Sequence, residues 1–544
     1  MQRQQLYFTE MNYEKIRPQF YSWRCTFKFL AGITILLYGV ACKKSEPGNE
    51  PVHPDQQQII SNLDSIYLYA KQIYLWNDQL PEHNKFNPER FYSNEANGLT
   101  AYKNEIFAFT RFALNPATGK AYELNATDPL LPRYSTIIES NASGIQGNKN
   151  EVLQLKEANP FGLSFYQNDT EVRILYVDVN SPAGKSGLKR GDRIMEINDQ
   201  STVNPSAFIG PWKNAIKNSF VKLTVTNVTG ESRQVRLAGT YYEQNPVLKR
   251  AVLNSGDRKI GFIAYNSFTD EGNSSRFLAP VFTEFSQKGI SELIIDLRYN
   301  GGGYQNAAIY FANQICPPKA KGAVMFTEHY NQMMQQGKAE ILSRQLLRDS
   351  NNEPFYIDGR LATLYDIDYS QGANTVAFDT DNGLTHLNKI YFIVSEQTAS
   401  ASELLINVLK PYADVKLIGV SASGQEQVRT YGKPVGFFDI DIDKYELYVA
   451  MYQNKNANDE GDYYEGFLAD YSTLDDPTHD FASLDDPAIQ IALGSSAISS
   501  GTGAGVQRKQ AVFSTAKYIF NTDRLDGTIK VSNDFKFRTD RRKP

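Results

Sequence analysis

From Gln57 onward, apolar residues return at steps of three and four. Ile59, Leu63, Ile66, Ala70 and Ile73 share one face, which predicts an amphipathic helix. More helix is expected over 104–114, so 57–145 reads as a small, mainly helical domain that caps rather than reacts. Between 151 and 242 the pattern shortens to β-branched runs, "VRILYVDV" and "FVKLTVTNV", separated by turns. From Lys259 to Leu493 the apolar runs "KIGFIAY", "ELIIDL", "KIYFIVS" and "VKLIGV" lie between helical patterns such as 306–315 and 403–409. Runs of that kind suit strands covered on both faces, and the alternation predicts an α/β core over 250–494. "LDDPAIQIALG" predicts a helix with Asp486 as N-cap and Pro487 in its first position. Beyond it, 495–544 reads as a linker, "SSAISSGTGAG", and a tail without further pattern.

Composition narrows the class only a little. A chain of 544 residues exceeds what one core holds, which makes two or three domains the expectation. A net charge of −5 gives no electrostatic footprint for nucleic acid. Three cysteines, Cys25, Cys42 and Cys316, provide no disulfide framework.

The amino terminus changes the picture more. Lys15, Arg17, Arg24 and Lys28 precede the apolar run "FLAGITILLYGVA" and then Cys42. That order predicts a signal peptide over 1–41, and the run is short for a spanning helix. Gly39-Val40-Ala41-Cys42 resembles a bacterial lipobox, although Gly39 stands where a larger aliphatic is usual. The resemblance implies cleavage before Cys42, acylation there, and a polar tether over 42–56. The expected location is the bacterial cell envelope, membrane-anchored through the lipid and periplasmic or surface-facing.

Within 151–242, "SPAGKSGLKRGDRIMEIND" predicts a short helix opened by Ser181-Pro182, ended at Gly187, and a turn at Gly191-Asp192 into a strand. This stretch resembles the PDZ domain. Upstream, Gly162, Leu163, Ser164 and Phe165 match its carboxylate-binding loop, with Ser164 in place of the second glycine. The resemblance implies recognition of free polypeptide carboxy termini by strand addition.

Two segments carry candidate chemistry. In "VSEQTASASELLINVLK" a buried strand turns into a helix through small hydroxyl residues, placing Ser400 and Ser402 beside a helix amino terminus. Free N–H groups and the helix dipole there favour developing negative charge, the setting of a nucleophile and oxyanion hole. By itself the turn is also what a capping serine gives. The second segment, "LIIDLRYNGGG", ends a strand in Gly301, Gly302 and Gly303, where the backbone has to approach something closely or turn tightly.

Together these segments resemble the carboxy-terminal processing, or tail-specific, serine protease family. They match its Asp-Leu-Arg-x-Asn-x-Gly-Gly strand end at Asp296–Gly302 and its Ala-Ser-Ala-Ser-Glu turn at Ala399–Glu403. The resemblance covers about 163–493 and implies a ClpP/crotonase-like α/β catalytic core preceded by a PDZ-like domain. It further implies Ser400 as nucleophile, Ser402 as helix cap, and backbone amides of Gly301 or Gly302 with Ala401 as the oxyanion hole. The role of Glu403 is left open, a helix-start carboxylate being the plain alternative.

The family's base is a lysine, which burial can bring toward neutrality. The usual spacing from the serine lands on Gln425, which cannot accept a proton. Farther on, "TYGKPVGFF" matches the lysine segment, so an insertion of about eight residues is inferred and Lys433 is assigned as the base. The lysine then sits within hydrogen-bond reach of Ser400. The family's third residue falls at Pro411 or at Phe437, and neither can serve. No HExxH, CxxC or P-loop occurs, so neither cofactor nor metal is expected. Two readings follow: a serine endopeptidase acting on unfolded or loosely folded polypeptides, or a catalytically impaired relative that captures peptide tails.

Overall fold

The computed structural model describes residues 54–93, 97–126, 128–140, 160–348, 353–379, 383–384, 387, 389–494 and 516–520. The signal-peptide and Cys42 readings, the tether up to 53, the start of the 151–242 segment and the linker from Ser495 lie outside the described residues, while 54–56, read as the end of the tether, already belong to the helix Pro54–Ile73.

The segment expected as an α/β core builds a six-stranded sheet in the order Tyr471–Leu474, Val415–Ser421, Lys389–Val394, Glu292–Asp296, Arg258–Tyr265 and Val247–Ser255. All neighbours are parallel except the last pair, which is antiparallel. Successive strand residues point to opposite faces. Leu293, Ile295, Phe392 and Val394 face the helices Glu271–Lys288, Gln305–Ile315 and Ala401–Leu409. Ile294, Ile393, Ile260 and Phe262 face the helix Pro487–Leu493 and also Tyr166, Leu175 and Tyr176 of the preceding β segment. The second face is therefore covered partly by a β domain, a pairing that strand periodicity cannot specify.

That β domain is an antiparallel sheet of Leu163–Gln167, Val172–Val177, Arg193–Ile197, Phe220–Thr226 and Ser232–Ala238, with helices Pro182–Lys185 and Ile209–Ala215. Ser181 caps the first helix, accepting the amide of Gly184 at 3.1 Å. Phe161, Phe165, Phe208 and Trp212 fill its centre.

Two expectations need correction. The helices Pro54–Ile73 and Gly98–Thr110 do not close a core of their own. Leu63, Ile66, Ala70 and Ile73 share one apolar cluster with Tyr330, Met334, Leu342, Phe438, Val449 and Tyr452. Strand Thr136–Glu139 pairs antiparallel with Tyr445–Tyr448. Helical periodicity reports that a face is buried, not what it is buried against. The tail is also not featureless, because Lys517–Ile519 adds antiparallel to Leu163–Gln167 as the outer strand of the β domain. Three residues are too few to declare a strand by alternation alone.

Candidate active site

Ser400 and the glycine segment meet at the carboxyl ends of two adjacent parallel strands, since Asp296 pairs with Ile393. Crevices form at such ends in open α/β sheets. The small hydroxyl residues fasten the turn to the glycine loop. Ser395 Oγ donates to the Arg298 carbonyl, and Thr398 Oγ1 donates to that of Leu297 at 2.8 Å. The Asn300 carbonyl accepts the Ala399 amide at 3.2 Å and Ser402 Oγ at 3.1 Å. Ser402 is thus a tie to the glycine loop and not the helix cap. The N-cap position belongs to Ser400, whose φ of 55° is a strained value for a residue with a side chain. Its Oγ is buried and has no hydrogen-bond partner among the described residues.

Gly302, at φ +106°, explains the close approach. A Cβ there would lie 2.7 Å from Ser400 Cβ and 2.8 Å from the Ala399 carbonyl oxygen. Its amide is already committed, donating to Asn300 Oδ1 at 2.9 Å. Gly302 therefore makes room for the serine, and its N–H is not free for a developing oxyanion. Among the described residues, the amides of Gly301 and Ala401 have no internal acceptor.

The lysine segment is bound to this turn through Glu403, which is fully buried in the first turn of the serine helix. Its Oε2 accepts the amides of Ser400 at 3.0 Å and of Lys433 at 2.8 Å. Its Oε1 accepts the Gly432 amide at 2.7 Å and Thr430 Oγ1 at 2.5 Å. Burial raises the Glu403 carboxyl above its ordinary range, and these four donors oppose that shift. The Tyr431 amide also donates to the Thr398 carbonyl at 2.9 Å, and Tyr134 Oη donates to the Gly432 carbonyl at 2.6 Å.

Lys433 is buried, with its Nζ 4.9 Å from the centre of the Phe437 ring. Gln425 is exposed on the surface. The expected hydrogen bond from Lys433 to the serine hydroxyl is not made, because Ser400 Oγ has no partner.

A charged cluster behind the glycine loop escaped the sequence reading. Arg298 is buried and donates to Asp296 at 2.9 Å, Asp475 at 3.0 Å and Asp486 at 2.9 Å. Arg190, from the β domain, donates to Asp475 at 2.9 Å and to Tyr299 Oη at 2.7 Å. Burial would raise the Asp475 carboxyl, but the two guanidinium groups outweigh it and hold the carboxyl below its usual value. Only "DLR" and the helix cap Asp486 were visible signals; the pairing with Arg190 and Asp475 is made by tertiary contact.

Leu163 and Phe165 point into the β-domain core, where the Phe165 ring centre lies 4.7 Å from that of Trp212. Ser164 is buried as well. Gly162, at φ +74°, abuts Ser181: an added Cβ would sit 2.1 Å from Ser181 Oγ. Any ligand contact by this segment is therefore made through backbone groups. Among the described residues no cluster of His, Cys, Asp and Glu could hold a metal ion, and no helix is long and apolar enough to cross a membrane.

Parts of the chain are similar to known proteins. Over 270 residues, 49% of the chain, it is 22% identical to a protein named CtpA-like serine protease from Staphylococcus epidermidis, covering 45% of that protein. Over 153 residues, 26% of the chain, it is 26% identical to the carboxy-terminal processing protease CtpB of Bacillus subtilis, covering 30% of it. The chain thus spans less than half the length of these curated relatives. A solved chain from Bacteroides fragilis, assigned as an S41 protease, superposes with a TM-score of 0.50 at 20% identity, over 79% of this chain and 96% of that one. That likeness is one of fold. The model of peptidase family S41 matches residues 259–455, which hold the glycine loop, the serine turn and the lysine segment.

Proposed function

We propose that the protein is a serine endopeptidase of the carboxy-terminal processing type, with Ser400 as nucleophile and Lys433 as general base. The observation that carries the reading is the sharing of Glu403 Oε2 by the amides of Ser400 and Lys433. A buried carboxylate that fixes both segments holds serine and lysine to one geometry, as a dyad requires. In the reaction Lys433 Nζ, as the neutral amine, takes the proton of Ser400 while Oγ attacks the scissile carbonyl. The amides of Gly301 and Ala401 stabilise the oxyanion. Collapse of the tetrahedral intermediate expels the amine, which receives the proton from Lys433 and leaves an acyl-enzyme for water to hydrolyse.

The β domain binds substrate in this reading as a PDZ-like module. An extended polypeptide adds along Leu163–Gln167 with its free carboxylate near Gly162. Binding of a free-carboxylate peptide at least about tenfold tighter than its amidated form supports that role, and equal binding overturns it. Cys42 carries a lipid that holds the protein to the bacterial envelope.

The deciding experiment is hydrolysis of unstructured polypeptides. Ser400→Ala and Lys433→Ala each abolish turnover, and Gln425→Ala leaves it near the wild-type rate. Turnover by Ser400→Ala overturns the assignment. A second reading, a peptide-binding relative without turnover, is favoured by the unpartnered Ser400 Oγ and by Phe437 standing at the orienting position. An inactive wild-type chain that still binds peptides selects it.

A further inference from the structure

The tail strand Lys517–Ile519 fills an edge of the β domain in a particular way. Phe165 lies opposite Ile519, Tyr166 opposite Tyr518, and Gln167 opposite Lys517. The other side of Leu163–Gln167 is taken by Val172–Val177, so this edge is the one left for strand addition. Numbering along the tail rises toward Gly162. A polypeptide running antiparallel in that sense brings its carboxy end toward the Gly162–Phe165 turn.

The side chains alternate as strand geometry requires. Ile519 packs onto the apolar cluster of Phe165, Phe208 and Trp212, beside Ile209. Tyr518 and Phe520 pack on the opposite side, onto the cluster of Tyr166, Tyr176 and Tyr299. Tyr518 Oη donates to Asp475 Oδ2 at 3.0 Å, and its ring meets Tyr299 edge-on at 5.3 Å. The segment is therefore seated by backbone pairing, one aliphatic anchor and one hydroxyl anchor.

We propose that Ala516–Phe520 is an intramolecular pseudo-ligand. An extended polypeptide with a branched aliphatic side chain between two aromatic ones competes with it for the backbone of Leu163–Gln167 and for the Ile519 site, and binds only when the tail is released. The proposal rests on the strand-addition reading of this domain. A tethered competitor acts at an effective concentration of order millimolar, enough to mask micromolar affinity for a free peptide by tenfold or more.

The test uses the full chain and a dye-labelled, carboxy-amidated peptide Thr-Ala-Lys-Tyr-Ile-Phe-Asn, read by fluorescence anisotropy. Ile519→Asp binds the probe at least about tenfold more tightly than wild type, and Tyr518→Phe a few-fold more tightly. Amide exchange over 163–167 rises in Ile519→Asp and falls again when the probe saturates. Equal affinity of wild type and Ile519→Asp overturns the proposal, as does faster exchange without probe binding. If Ile519→Asp does not fold, Tyr518→Phe decides, and wild-type affinity there overturns it. The amidated probe needs neither carboxylate recognition nor cleavage, so its failure leaves both of those readings standing, and their failure leaves this one standing.

Discussion

Ser400 and Lys433 donate their backbone amides to the same atom, Oε2 of Glu403, at 3.0 and 2.8 Å. The carboxylate that starts the serine helix is thereby also the clasp of the lysine loop. Distance in sequence between serine and lysine matters little in such an arrangement. A longer loop costs little closure entropy, and Glu403 sets where it lands.

Replacing Glu403 tests that clasp. Glu403→Ala strands the amides of Ser400, Gly432 and Lys433 and the Thr430 hydroxyl in a buried site, with an expected loss of about 3 kcal/mol or more. Glu403→Gln keeps the volume but turns an N–H donor toward other donors. Both variants lose most of the turnover, and Gln keeps the higher Tm. Wild-type kcat in Glu403→Gln would show that the shared acceptor is dispensable.

Gly302→Ala places a methyl group against Ser400 Cβ and demands a left-handed backbone from alanine. Overpacking and strain of this kind cost about 1–3 kcal/mol each. Turnover falls further than stability, because the displaced neighbour is the candidate nucleophile itself. A fall in Tm accompanied by an unchanged kcat would argue against that placement.

The Phe437 ring presents its negative face to the Lys433 ammonium, an interaction worth about 0.5–2 kcal/mol to the charged form. Phe437→Leu removes the ring and keeps the site apolar, which favours the free amine. The acid limb of the kcat/KM profile then moves to lower pH. A limb that does not move separates Phe437 from the base.

Asp178, buried in the β domain near Gly162, has its carboxyl pushed up to about 7 by burial, against hydrogen bonds from the amides of Asn180 and Asn245. The folded state holds this proton more tightly than the unfolded chain does. Stability from this group is therefore full below the ordinary carboxyl range. It is lost as pH rises from there toward 7, at about 1.4 kcal/mol for each step of one in pH. Asp178→Asn removes that slope and raises Tm at pH 8 relative to wild type. Parallel Tm–pH curves for the two proteins would contradict the assignment.

Acylation of Cys42 predicts that Cys42→Ser shifts the protein from the membrane to the soluble fraction without loss of hydrolysis. Soluble wild-type protein with an unmodified Cys42 would overturn the anchor.

Much of this architecture follows from local pattern, because hydrophobic periodicity and caps are local physics. The core strands, the helices Gln305–Ile315 and Ala401–Leu409, and the Asp486 cap with Pro487 fall where the sequence predicts them. The serine turn and the glycine loop are legible for the same reason, as small residues where the backbone must turn or approach closely. Tertiary structure decided what each face meets. It put Pro54–Ile73 into a core shared with Tyr445–Tyr452, paired Arg190 with Asp475, and seated Ile519 against the β domain. It also buried Lys433 and tied its amide to Glu403 while leaving Gln425 exposed, since burial and a shared acceptor depend on where a loop lands in space. A sequence determines which surfaces must be covered, whereas the partner that covers them is selected only when the chain closes on itself.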